Sequence, residues 1–134
     1  MTQAELEVRV AHWQERLRLQ DWDVTICTRR HWELKEVCAQ VTLVLNKKAA
    51  LISILDPNDY QPDEFSVDGI ERAIVHELLH LHLEPLAPED REGLQWTALE
   101  QAINAISHAL VPGLLGHTIS RDKLQGFEKK RCDS

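Results

Sequence analysis

Asp68-Gly69-Ile70-Glu71-Arg72-Ala73-Ile74-Val75-His76-Glu77-Leu78-Leu79-His80-Leu81-His82-Leu83-Glu84-Pro85 is the stretch that decides how this chain folds. Asp68 with Glu71 three residues on is a helix-start signal, and Pro85 ends the pattern after Glu84. Ile70, Ile74, Val75, Leu78, Leu79, Leu81 and Leu83 point almost all round such a helix, so it is predicted to be buried. His76 and His80 then lie one turn apart on the side opposite Leu78, with Cβ atoms about 5–6 Å apart. Two unpaired imidazoles on a buried helix need a reason, because buried polar groups must be satisfied. A metal supplies one: two imidazoles at this spacing can close on a single Zn²⁺ at about 2.0–2.1 Å each. Glu77 projects beside that position and can act as a base on a metal-activated water. The pentapeptide is short enough to arise by chance, so its context decides.

A catalytic zinc ion usually takes three protein ligands and keeps one position open. The segment from Pro88 to Leu110 is predicted to be a second helix. Pro88 suits a first turn, Glu89 and Asp90 suit the positive N-terminal end, and Pro112-Gly113 stop it. Its apolar stripe is Leu99, Ala102, Ile103, Ile106 and Leu110. Glu100 borders that stripe near Trp96 and Ser107, where a helix face can meet a cleft. The connection between the helices, Pro85-Leu86-Ala87-Pro88, is short enough to make them neighbours. Counted from Pro88, Glu100 lies about 18 Å up its helix, whereas His76 and His80 lie about 6–12 Å from the end of theirs. A loop and a crossing angle are needed to absorb the difference. Glu84 and Glu92 are the alternative third ligands.

His76-Glu77-x-x-His80 followed by Glu100 resembles the gluzincin clan of zinc metallopeptidases, whose third ligand is a Glu on the next helix about twenty residues on. The resemblance is most specific from Asp68 to Asn104, and the small size resembles the minimal gluzincins of bacteria and phages. It implies that His76, His80 and Glu100 are zinc ligands and that Glu77 is the general base and acid. Where that family often carries an Asp bonded to a ligand histidine, this chain has the uncharged Asn104. The resemblance also implies an edge strand beside the metal that binds substrate as an added strand.

Outside these helices the chain reads as one small α+β domain, zincin-like by resemblance: residues 1–113 as the catalytic unit and 114–134 as an irregular tail. At 134 residues and 43% hydrophobic content it can bury one core. Thr2 with Glu5 starts an N-terminal helix whose buried stripe is Leu6, Val10, Trp13 and Leu17. Three strands are expected next. Trp22, Val24 and Ile26 alternate with Asp23, Thr25 and Cys27; Ala39, Val41, Leu43 and Leu45 repeat that period. Ala49 to Leu55 is a continuous β-prone run after the polar turn Asn46-Lys47-Lys48. This last strand is the candidate for the substrate-binding edge, with an ordinary core strand as the alternative.

A net charge of −7 argues against a nucleic-acid partner, which needs a basic surface. No apolar run approaches membrane-spanning length, and the N-terminus reads as an amphipathic helix rather than a leader, so a cytoplasmic protein is expected. Cys27, Cys38 and Cys132 are then reduced thiols by default, small core residues, with Cys27–Cys38 pairing across a hairpin as the alternative. His82 faces away from His76 and His80 and is expected to pack or sit at the surface. Tyr60, His108 and His117 are candidates for stabilising an oxyanion, though none is selected by spacing. Trp96 either packs the core or walls the metal pocket. The tail is locally basic through Lys123, Lys129, Lys130 and Arg131. It is either a solvated end or, by analogy with the minimal gluzincins, a cover for an acidic cleft, with Cys132 or Asp133 reaching the metal. The reading that follows is a zinc-dependent metallopeptidase acting on a peptide or protein substrate. The alternative is a catalytically silent zinc-binding module that acts in protein binding or regulation.

Overall fold

The Thr2 hydroxyl accepts the Glu5 N–H at 3.1 Å and caps α1 (Gln3–Arg16). Leu6, Val10 and Trp13 form the buried stripe of α1, as their helical spacing requires. The computed structural model describes residues 1–34, 37–60 and 67–112; the tail 114–134 and His117 lie outside them. After α1 come β1 (Asp23–Arg29), the single turn α2 (His31–Leu34), β2 (Ala39–Val44), β3 (Ala49–Leu55), α3 (Val67–Leu83) and α4 (Leu94–Leu110). These make a small α+β domain built on one three-stranded mixed sheet.

The sheet order is β1-β3-β2. β3 is central, parallel to β1 with Ile26 opposite Ile52 and antiparallel to β2 with Val41 opposite Ile52. Alternate residues therefore line one apolar face: Val24 and Ile26, Ala50, Ile52 and Ile54, and Ala39, Val41 and Leu43, all within the main core. α1 and α3 pack against this cluster, and α4 packs on α3. β3 has no polar alternation because its far end is covered on the other face too, where Leu55 packs with Leu34 and Cys38.

Two expectations are corrected by this order. Ala49–Leu55 is hydrogen-bonded on both sides and offers no edge to a substrate; among the described residues the strand near α3 with an unpartnered edge is β2. Cys27 and Cys38 do not face each other: Cys27 is on β1 and Cys38 just precedes β2, with β3 between those strands. Cys27 is a free thiol 3.7 Å from the Ser53 hydroxyl, whereas Cys38 is disulfide-bonded, so the expectation of reduced thiols does not hold there.

The helix starts also differ from the sequence pattern. Pro88, Glu89 and Asp90 lie before α4 rather than in its first turn. The Asp90 carboxylate accepts the Glu92 N–H at 2.9 Å and closes a local turn instead. Extended Gly93 then starts the helix at Leu94, and a Cβ on Gly93 would lie 2.8 Å from the Asp90 carboxylate. Asp68 sits in the first turn of α3, but Glu71 does not reach back to cap it. Its carboxylate pairs with Arg9 and accepts the Trp13 indole N–H at 2.9 Å, tying α1 to α3. No described helix is long and apolar enough to cross a membrane.

Glu71→Ala leaves a buried indole donor without an acceptor and is expected to cost about 1–3 kcal/mol. The measurement is the urea midpoint at unchanged slope. A change below about 0.5 kcal/mol would mean that apolar packing alone joins the two helices.

Candidate metal centre

His76, Glu77 and His80 are buried on α3, with 5%, 4% and 8% of their surfaces exposed. Glu100 reaches them from α4. One of its carboxylate oxygens lies 3.5 Å from His76 Nε2 and the other 2.8 Å from His80 Nε2. The three candidate ligand atoms lie within 4.8 Å of one another. Ligands on a tetrahedron with 2.0–2.1 Å bonds stand about 3.3 Å apart, and the Glu100 distances to His76 and His80 bracket that spacing. The late start of α4 makes this possible. Glu100 is six residues past Leu94, about 9 Å along the helix, and His80 is three residues before the end of α3, about 4.5 Å. The mismatch in height expected from a helix starting at Pro88 is thereby reduced.

The electrostatics are those of a site with a cation to gain. Glu77 Oε2 and Glu100 Oε1 are buried oxygens with no hydrogen-bond donor among the described residues. Glu100 Oε1 is close to His80 but makes no aligned hydrogen bond. Burial pushes the Glu77 carboxyl up to about 7; neighbouring His76 pulls against this and Glu100 adds to it. For Glu100 burial also acts upward, but the two imidazoles beside it outweigh this and hold it down to about 2. A His/His/carboxylate set with orphaned buried oxygens fits a metal ion.

The cluster opens into a pocket of about 570 Å³. β2 forms one wall through Ala39, Gln40, Val41 and Leu43. Glu77, His80 and Glu100 lie on the helical side, with Glu84, Arg91 and Trp96 completing it. Trp96 thus borders the metal pocket rather than the core, one turn before Glu100.

The remaining candidates separate clearly. Glu84 lines the pocket but is paired with Arg91 at 3.2 Å, and Glu92 is exposed and not part of the ligand group. Asn104 contributes its backbone carbonyl to Ser107 and His108, not a side-chain bond to a ligand histidine. Tyr60 packs beside Leu34 and Leu55, and exposed His108 does not line the pocket. Exposed His82 bonds the Leu17 carbonyl, as its position away from the other two histidines predicts. Arg91 was not legible in the sequence: nothing in its spacing distinguishes it from any other surface arginine. No family model, curated protein or solved structure matches this chain.

The folded-state value for Glu77, about 7, lies above the usual 4.5, so between these values the folded chain holds a proton that the unfolded chain releases. Its contribution to stability is present below pH 4.5 and is lost as pH rises through 7. Without metal, the wild type is expected to lose about 3 kcal/mol relative to Glu77→Gln between pH 4.5 and 8. Chemical denaturation across that range is the check, and parallel profiles for the two proteins would contradict it.

Proposed function

We propose that this chain is a zinc-dependent metallopeptidase with a zincin-like fold of the gluzincin type, hydrolysing peptide bonds in peptide or protein substrates. The observation that carries the reading is the convergence of His76, His80 and Glu100 within 4.8 Å beside the buried carboxylate of Glu77, with Glu77, His80 and Glu100 lining a pocket. A purely structural zinc site is usually closed by four ligands and rich in cysteine. Here the group has two histidines and one carboxylate.

In this reading His76 and His80 offer their Nε2 atoms and Glu100 its carboxylate as ligands. When bound, zinc polarises the scissile carbonyl and lowers the pKa of a water towards about 7. Glu77 takes the proton of the attacking water and passes it to the leaving amine nitrogen. Its desolvated position suits that exchange, because a general base works best with a pKa near the working pH. The substrate backbone lies along β2, whose outer edge has no strand partner among the described residues. Ala39, Val41 and Leu43 line the pocket on that side. A cytoplasmic location, expected from the sequence, is part of the same proposal.

Elemental analysis should find about one zinc per chain. Glu77→Gln is expected to keep the metal and lose turnover on a broad peptide library, and retained cleavage would sink the assignment. Glu100→Ala should weaken zinc binding by at least about 100-fold, judged by chelator competition. Wild-type zinc binding without any cleavage would favour the silent zinc-binding module instead.

A further inference from the structure

Ligand histidines usually have their rings fixed by a hydrogen bond from the nitrogen that does not bind metal. That device is missing at His80. Among the described residues its one polar contact is with Glu100, and Asn104 offers its backbone carbonyl to Ser107 and His108 instead. The face of the ring is held instead. Trp96 stacks on His80 with centroids 5.7 Å apart and planes 21° from parallel. The Arg91 guanidinium carbon sits 4.4 Å from the centroid of the Trp96 ring. Arg91 is itself tied to Glu84 at 3.2 Å. The result is a chain of contacts from Glu84, just past the end of α3, through Arg91 and Trp96 back to His80 on α3.

We propose that Trp96, pinned by Arg91, is the positioning residue for the His80 ligand, replacing the missing hydrogen bond with a stacked aromatic face. The inference rests on the metal-binding part of the reading above. Offset stacking restricts rotation of the imidazole about its Cβ–Cγ bond, so Nε2 stays aimed at the point where His76 and Glu100 converge. The cation over Trp96 holds the indole in that plane. Glu84 sets the position of the cation in turn, since it is the carboxylate paired with Arg91. A flat side chain that walls the pocket also keeps water from the face of His80 it covers, which strengthens the pull of a bound cation on the ring.

Cobalt(II) is the probe, because its visible absorption reports ligand geometry independently of any peptidase activity. Trp96→Ala is expected to bind cobalt and zinc about 10- to 100-fold more weakly, the range seen when the outer support of a ligand is removed. Its cobalt spectrum should be altered, with an unchanged far-UV spectrum for the metal-free protein. Trp96→Phe keeps a stacking face and should restore both affinity and spectrum. Arg91→Gln, which leaves the indole in place but unpinned, should fall between wild type and Trp96→Ala. Bound cobalt should also quench a share of the wild-type tryptophan fluorescence that is absent in Trp96→Phe, a readout that survives if Trp96→Ala fails to fold.

Unchanged affinity and spectrum in Trp96→Ala, or equal quenching in wild type and Trp96→Phe, overturns the positioning role while leaving the metal centre intact. If the wild type binds neither cobalt nor zinc, the metal reading fails and this inference falls with it.

Discussion

A carboxylate on one helix meeting two imidazoles on another is the contact around which the arrangement of α3 and α4 makes sense. His76, Glu77 and His80 sit among Ile74, Val75, Leu78 and Leu79, all at or near zero exposure. Placing three ionisable groups in such a helix is costly unless each finds a counterpart. Glu100 supplies part of it and leaves two oxygens without donors. The neighbouring elements follow from where that cluster must stand. α3 is held against the sheet by its apolar sides, α1 is tied to it through Glu71, and α4 has to begin at Leu94 for Glu100 to arrive at the right height.

Much of this was legible because local pattern and tertiary role coincide. The near-continuous apolar circumference of α3 demanded burial, and burial made the two histidines conspicuous. Thr2 with Glu5, and the stripe of Leu6, Val10 and Trp13, fixed α1 by the same logic. The strand segments were visible in their period of two, and Ala49–Leu55 in its unbroken apolar run. That unbroken run also marks the strand's place in the sheet. A strand buried along most of its length belongs in the middle of a sheet, not at an edge.

What stayed hidden depends on partners distant in sequence. Period-two alternation says which face of a strand is buried but not which strand lies beside it, so the order β1-β3-β2 and the separation of Cys27 from Cys38 could not be read off. Pro88, Glu89 and Asp90 are as well suited to a turn as to a first helical turn. The choice was made by the Asp90 side chain closing on Glu92 and by Gly93. Glu71 satisfied a capping pattern in sequence but was drawn away by Arg9 and Trp13, some sixty residues earlier. Arg91's role depends on its ion pair with Glu84 and its stacking on Trp96, partners its own spacing does not announce.

The outer edge of β2 carries a consequence for handling the protein. Unpaired backbone donors and acceptors on a strand do not distinguish a substrate from a second copy of the same strand. The strand limits that liability by being six residues long and by turning Gln40 and Thr42, exposed and polar, away from the core. Exposed Lys47 lies three residues past the strand's end, so two copies pairing in the same direction would bring like charges together. The strand thus carries its own gatekeepers against self-association at the edge it leaves open.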